Sequence, residues 1–504
     1  MSAPRRLGEI LAGAGVRPLD AVESDPLVTG VEIDSRRILP GHVFFALPGL
    51  RLDGVAFVPD AVARGASAIV AGAPRPSSLD ASISWIRVED PRRAAGLFAR
   101  EWFGRPDEAL PIVGITGTNG KTTVSYMVES IGRAAGLEPG RIGTVGYAHG
   151  GQERSASRTT PEAPDLFALL AQMRDRGVRV VALEVSSHAL ALRRVEGLRF
   201  AVAAFLNFGR DHLDFHGDAE AYFEAKARMF DELRPPQIAV LPADDPKGAA
   251  LAGRTRAETI TFGRDPAADV RIEDESCRMD GSAAVLRVGG RRLAVRTPLP
   301  GRFHLENAAA AAACCTALRI SDAAIVEGLA ALRAVPGRTE RVDEGQPFAV
   351  LVDFAHTEEA LARLLDGVRE IVGGRLLAVF GCGGERDRGK RPLMGRAAAE
   401  RADLVFLTSD NPRSEDPAAI LGEVESGVAS VAGGLERCRV IRDRAQAIAA
   451  AIFAARPGDV VVVAGKGHET TQSFGDHVER FDDREAAAAA LAAAGWNGGR
   501  RARA

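Results

Sequence analysis

Gly114-Ile115-Thr116-Gly117-Thr118-Asn119-Gly120-Lys121-Thr122-Thr123 carries glycines, a lysine and adjacent threonines at the spacing phosphate chemistry needs. The apolar run Pro111-Ile112-Val113 ahead of it reads as a strand, and Val124 to Ala135 behind it as a helix. Glycines let backbone N–H groups crowd a phosphate at a helix N-terminus. Lys121 would meet the β- and γ-phosphates, and the Thr122 hydroxyl a Mg²⁺. The loop departs from the strict G-x-x-x-x-G-K-[ST] pattern, because Ile115 holds the first glycine position and Gly114 comes one residue early.

Other side chains extend this chemistry. Val178 to Leu183 reads as a strand ending in Glu184, and an acid at such an end beside a phosphate loop suits Mg²⁺; a strand-end salt bridge is the alternative. After the strand Ala201 to Leu206, the loop Asn207 to Gly217 packs Asp211, His212, Asp214 and His216 into six residues, a metal- or phosphate-facing constellation. In the helix expected over Asp218 to Leu233, Lys226 falls on the apolar stripe of Phe223, Ala227 and Phe230. A lysine there either snorkels outward or is paired or chemically altered.

Further on, four apolar strands run into polar loops: Asp353-Phe354-Ala355-His356-Thr357, Gly381 to Arg388, Thr408 to Arg413, and Gly465-Lys466-Gly467-His468-Glu469. Ligands collect outside the carboxyl ends of strands in open α/β sheets, so these loops predict one polar binding rim.

The elements that position these residues form an α/β chain of 504 residues, long enough for about three domains. Short strands such as Val43 to Leu47 and Ala68 to Ala71 mark a first α/β region, in which Asp34 to Arg37 and Arg51 to Gly54 read as solvated turns. Phe103-Gly104-Arg105-Pro106 and Val335-Pro336-Gly337-Arg338 read as linkers. They divide the chain into 1–105, 106–336 and 337–504. The middle portion repeats strand, loop and helix, as a mostly parallel sheet does, and becomes strand-rich up to Leu299 before an alanine-rich helix, Ala308 to Leu318. No heptad persists there, which excludes a coiled coil. The tail Asn497 to Ala504 reads as a solvated end.

Composition bounds the partners. Hydrophobic residues make up 46% and charged residues 26%, and 64 Lys+Arg against 67 Asp+Glu leave a net charge of −3. No overall basic field recruits nucleic acid or membrane. Cys277, Cys314, Cys315, Cys382 and Cys438 lack paired spacing, which argues against disulfides and a zinc site and fits a reducing cytoplasm. The N-terminus lacks an apolar signal core, and no run of about 18 apolar residues predicts a membrane span.

Taken in order, Gly117 to Thr122, Glu184-Val185-Ser186-Ser187-His188, Asp211-His212-Leu213-Asp214, Asp353 to Thr357, Asp410-Asn411-Pro412-Arg413 and Gly465 to Glu469 together resemble the Mur ligases, from about Asp34 to Glu485. Within the family the likeness is to members that add the third residue of the peptidoglycan stem. The resemblance implies an N-terminal UDP-binding domain, a central P-loop ATPase domain and a C-terminal Rossmann-like domain that brings the amino acid. It implies ligation of meso-diaminopimelate to the D-glutamyl carboxylate of UDP-MurNAc-L-Ala-D-Glu at the expense of ATP, by a cytoplasmic monomer without nucleic-acid or membrane partners.

The family's site residues carry over by position. Ser35 matches a uridine-site serine, which displaces the turn-only reading of its segment. Thr159, Thr160, Ser186 and Arg194 match the grip on the muramoyl peptide. Gly117, Thr118, Asn119, Gly120, Lys121, Thr122, Thr123, Asn307, Arg338 and Asp353 match nucleotide contacts. Thr122 and Glu184 match ligands of a first Mg²⁺. His212 matches a ligand of a second, with Lys226 carrying a CO₂-derived carbamate. Lys121, Lys226 and His212 are the implied catalytic residues.

Arg386, Asp410, Asn411, Pro412, Arg413, Gly465 and Glu469 match the amino-acid site, Glu469 toward the distal ammonium. Arg413 goes with meso-diaminopimelate, whose second carboxylate a guanidinium can fork. Phe354 stands where tyrosine is usual, and Leu192-Arg193 where a polar pair is usual. Three rivals are a lysine-adding sister, a folylpolyglutamate synthetase-like ligase and a silent nucleotide-binding scaffold. Arg413 disfavours the first. Ser35, Asp410 to Arg413 and Lys466 to Glu469 disfavour the second. The presence of Lys121, Glu184, His212 and Lys226 disfavours the third.

Overall fold

In the computed structural model, which describes residues 3–49, 52–80 and 82–497, three main sheets follow one another along the chain. Of the tail expected at 497–504 only Asn497 is described, and Arg51 also lies outside the described residues. The first sheet is four parallel strands, Gly30–Glu32, His42–Phe45, Ala68–Ala71 and Ser84–Arg87. Its two polar segments are short 3-10 turns, Ser35–Arg37 and Gly54–Phe57, each capped by an aspartate: Asp34 accepts from Arg36 N and Asp53 from Val55 N.

The central sheet has eleven strands. Ile112–Thr116 lies between Val180–Glu184 and Val202–Phe205, parallel to both. The phosphate loop, Glu184 and the 207–217 loop therefore leave from adjacent strand ends. Two antiparallel strands, Gly146–His149 and Gln152–Ser155, extend one side, and Gly281–Val288 and Arg291–Thr297 the other. The helices Lys121–Ala134 and Arg302–Ala317 pack together on one face of it. The second begins six residues before the expected Ala308, because Gly301 (φ 111°) makes the turn and nothing in Arg302-Phe303-His304 resists helix. Ala308 to Ala313 are all buried, and their small size lets the helix sit close on the sheet.

The third sheet runs Glu340–Arg341, Ala349–Asp353, Val460–Ala464, Leu376–Phe380, Leu404–Leu407, Cys438–Val440, all parallel except the first. The carboxyl ends of its four apolar strands share one edge, as the loop pattern predicts.

The two expected linkers are packed turns. Pro106 and Asp107 are buried, and Asp107 accepts from Arg100 at 2.9 Å. Around them one apolar core joins Val43, Phe45 and Phe98 of the first region to Ile112, Leu183 and Phe205 of the central sheet. The third sheet keeps its own cores on both faces and meets the central region through Met279 and Phe303, which pack against one of them, and through polar contacts. Among these, Arg210 pairs with Asp387 at 3.3 Å, and Glu306 bridges Arg264 and Arg363 at 2.6 Å each. At the second turn Val335 is buried and Arg338 reaches back to Thr122.

Candidate active site

The phosphate loop is shaped by Asn207, whose Oδ1 accepts from Asn119 N at 2.8 Å while its Nδ2 donates to Asn119 O at 3.1 Å. Gly120 adopts φ 88°, and a Cβ there would lie 2.3 Å from Asn307 Oδ1, so only glycine fits. The helix Lys121–Ala134 starts at once, and its free N–H groups face a cavity of about 290 Å³. Thr118 to Thr123, Asn307, Arg338 and Asp353 line it, with Thr159, Ser186, His212 and Lys226. Thus ten of the sequence-derived nucleotide residues converge, Gly117 through its carbonyl. Arg338 and Asp353 come from beyond residue 336.

Two lysines share that carbonyl: Lys121 Nζ and Lys226 Nζ each donate to Gly117 O at 2.9 Å, and Lys121 also to Thr118 O. Lys226 is 1% exposed, so the outward-snorkelling alternative is excluded. Burial and then the neighbouring Lys121 hold Lys226 well below the usual lysine range, and burial lowers Lys121. Tyr222 lies under Lys226, its ring centroid 4.3 Å from Nζ.

Glu184 is fully buried and accepts from Thr122 Oγ1 at 2.9 Å, Thr144 Oγ1 at 2.8 Å and Thr144 N at 3.0 Å. No arginine or lysine pairs with it among the described residues, so the strand-end salt bridge is not formed. A carboxylate and a hydroxyl in contact are hard oxygen donors that fit Mg²⁺. Arg338 Nη2 donates to the same Thr122 hydroxyl at 3.1 Å. His212 adopts φ 53° and stacks edge-on with His188; burial lowers it to about 3, so its ring is neutral and can ligate.

A second cavity of about 220 Å³ is lined by Arg386, Asp410, Asn411, Arg413, Gly465 and Glu469, the predicted amino-acid residues apart from Pro412. Asp211, His212, Phe354 and His356 line both cavities, which therefore share a wall. Arg386 Nη1 rests on Glu385 O at 3.1 Å and Arg413 Nη1 on Gly384 O at 2.6 Å, so both guanidiniums sit on carbonyls. Burial and Arg386 lower Arg413. Gly465 (φ 113°) abuts Asp410, where a Cβ would come within 2.8 Å of Oδ2.

A third, larger cavity of about 1130 Å³ holds Ser35 with Asp34, Arg36, Leu52, Phe57, Arg158 and Glu162. The predicted peptide-grip residues run from it toward the nucleotide cavity. Arg194 pairs with Glu162 at 2.8 Å, while Thr160 is fully buried, donating to Glu184 O and accepting from Ser186 N. Ser186 also caps the helix Ser187–Ala191.

Sequence reasoning passed over Thr144, Asn207, Tyr222 and Lys390. Asn207 opens the polar loop already singled out, and Lys390 follows the third-sheet loop ending at Arg388. Thr144 and Tyr222 carry no local signal.

Known proteins agree with this arrangement. Residues 27–103, 115–315 and 337–467 match, in turn, the profiles of the Mur ligase family catalytic domain, the Mur ligase middle domain and the Mur ligase glutamate ligase domain. A UDP-N-acetylmuramoyl-L-alanyl-D-glutamate--2,6-diaminopimelate ligase of Solibacter usitatus is 46% identical over 97% of this chain and 99% of its own. That of Streptomyces coelicolor is 45% identical over 91% of each. A solved structure of a ligase with the same name superposes with a TM-score of 0.69 at 32% identity, covering 98% of this chain and 100% of that one. A folylpolyglutamate synthase of Mycobacterium tuberculosis, 20% identical over 79% of this chain and 93% of its own with a TM-score of 0.62, shares the fold. With near-full-length relatives at this identity, and three domain profiles in the order of the three sheets, the chain belongs to the Mur ligase family.

Proposed function

We propose that this protein is an ATP-dependent ligase that joins meso-diaminopimelate to the D-glutamyl carboxylate of UDP-MurNAc-L-Ala-D-Glu in peptidoglycan precursor synthesis. The observation that carries the reading is the wall of Asp211, His212, Phe354 and His356 between the phosphate-loop cavity and the arginine-lined cavity. An activated carboxylate formed on one side is within reach of an amine held on the other. The names of the near-full-length relatives support the same substrates. The proposed division is 1–105 for UDP, 106–336 for ATP and 337–504 for the amino acid, supported by the succession of three sheets; each cavity is lined from two of these regions.

In the first step a glutamyl carboxylate oxygen attacks the γ-phosphorus, the bond to the β-bridging oxygen breaks, and ADP leaves. Lys121 and the N–H groups of the loop bind the phosphates and balance the charge that builds on them. The amine nitrogen then attacks the acyl phosphate carbon, and the tetrahedral intermediate expels phosphate as the amine loses a proton. Arg338 and Asp353 close the nucleotide cavity from the third sheet and exclude the water that would hydrolyse the acyl phosphate. Mg²⁺, when bound, neutralises phosphate charge; Thr122 and Glu184 would hold one ion, His212 and carbamylated Lys226 a second. The amine depressed by burial at Lys226 suits carbamate formation, which needs a neutral nitrogen. Among the described residues no helix is long and apolar enough to cross a membrane.

The test is phosphate release from ATP with UDP-MurNAc-L-Ala-D-Glu and a panel of amines. Release with meso-diaminopimelate is expected. No release with any amine would sink the ligase reading, and L-lysine as the better substrate would sink the choice of amine. For Lys226→Ala, rescue by added short-chain acids is expected, while full activity without them would remove the carbamate.

A further inference from the structure

The hairpin behind the amino-acid cavity has no role in the chemistry above, yet its backbone and one buried side chain are bonded to the loop that carries Arg413. Thr471–Phe474 pairs antiparallel with His477–Arg480, placing Gln472 against the loop at 3% exposure. Gln472 Nε2 donates to Asp410 O at 2.6 Å and to Ser409 O at 3.3 Å. The strand continues the contact: Ser473 N donates to Asn411 Oδ1 at 3.1 Å, Arg413 N to Ser473 O at 3.0 Å, and Gly475 N to Arg413 O at 2.6 Å. Every residue from Ser409 to Arg413 except Pro412 is thereby bonded to the hairpin.

The loop needs such support. Arg413 adopts φ 53°, a left-handed conformation unfavourable for a side chain of this size, and it persists only where the surroundings impose it. Gln472 does not line the cavity, so it cannot act by touching substrate. Its amide presents two N–H donors to two carbonyls whose residues lead directly into Asn411 and Arg413. Removing the donors strips the Asp410 carbonyl of its Gln472 bond and leaves Ser409 O with Arg444 Nη1 at 3.4 Å, beside the specificity loop.

We infer that Gln472 is a positioning residue for the amine site, which sets the backbone of Asp410 to Arg413 so that the Arg413 guanidinium faces the side-chain carboxylate of the incoming diamino acid. The inference rests on the ligase reading and concerns only its amine half.

The experiment compares the parent protein with Gln472→Met, which keeps the length and removes the donors, and Gln472→Glu, which turns a carboxylate toward the same carbonyls. In the parent, amine-dependent phosphate release tests the ligase reading by itself. In Gln472→Met the KM for meso-diaminopimelate is expected to rise at least tenfold, and in Gln472→Glu further. The kcat/KM preference for meso-diaminopimelate over L-lysine is expected to fall by a similar factor, while the KM values for ATP and UDP-MurNAc-L-Ala-D-Glu stay within twofold. Unchanged amine KM and preference, or a parallel shift of all three KM values, would overturn the positioning role. Should Gln472→Met fail to accumulate as folded protein, Gln472→Asn, whose amide falls one methylene short, is held to the same split, with the same overturning outcomes.

Discussion

Arg444 and Lys226 are both basic side chains shut away from solvent, and they are treated in opposite ways. Arg444, in the third region, meets Asp483 through Nε at 2.7 Å and Nη2 at 2.8 Å, with both side chains fully buried. Burial is the largest single influence and works against its charge, but Asp483, Asp410 and Glu469 together outweigh burial and raise it. Among the described residues no carboxylate pairs with Lys226; it leans on one backbone carbonyl that Lys121 also uses. Arg386, Lys390 and Arg413 around the second cavity likewise rest on carbonyls. A carboxylate neutralises a cation for good, whereas a carbonyl satisfies its hydrogen bonds and leaves its charge for an arriving anion. The difference separates groups that hold the fold from groups that wait for phosphate or carboxylate.

The sharpest way to break this comparison is to exchange the costs. Lys121→Met should lower phosphate release by about 100- to 1000-fold, as loss of a charge-stabilising donor does. Lys226→Met should leave the unfolding free energy unchanged or higher, because it removes a buried amine whose hydrogen bond reaches only a shared carbonyl; a large loss of stability in denaturant would show that the lysine holds the fold. Arg444→Met should do the reverse. It should cost about 3–5 kcal/mol of stability by stranding Asp483, and Arg444→Met with Asp483→Leu should recover much of that loss.

Arg413→Lys tests a carbonyl-supported cation without removing its charge. A drop of about 10- to 100-fold in kcat/KM for meso-diaminopimelate is expected, since an ammonium cannot make the bidentate fork. The smallest effect concerns His304, buried in the nucleotide cavity wall with its Nε2 on Thr339 Oγ1 at 2.7 Å. Burial lowers it to about 3 against an ordinary 6.5, so in that window the unfolded chain binds more protons. Stability from the neutral ring is present above pH 6.5 and lost as pH falls toward 3. His304→Gln should therefore flatten the acid limb of the stability profile by up to about 1.4 kcal/mol per pH unit. Equal slopes would mean that the ring is protonated in the folded state.

What was legible in sequence follows the reach of each signal. The order of strand, loop and helix, and the polar loops at strand ends, are local patterns, and they located the phosphate loop, Glu184 and the third-sheet rim. The resemblance supplied Ser35 and Arg338, whose own neighbours say little. Thr144 and Gln472 act through bonds to residues 40 and 62 positions away, so no window along the chain contains both partners. The junctions failed for a related reason: glycine and proline at 103–106 report a turn, but not the apolar core that closes around it. Lys226 lay between: the stripe showed it on an apolar face but left snorkelling open, and its burial on a shared carbonyl is visible only in three dimensions.

Among the described residues the eleven-stranded sheet ends on either side in a strand with no further strand beside it, and eleven strands present a long template on which another chain could polymerise. Gln152–Ser155 is exposed along its whole length and offers Glu153 and Arg154, while Arg291–Thr297 turns Arg291, Arg292 and Arg296 to solvent. Charges on an open strand oppose edge-to-edge pairing. Solubility of the widest element thus rests on a few ionic side chains, of which Arg154 also lines the third cavity, and replacing Arg291, Arg292 and Arg296 with valine or threonine would convert a catalyst into a seed for aggregation.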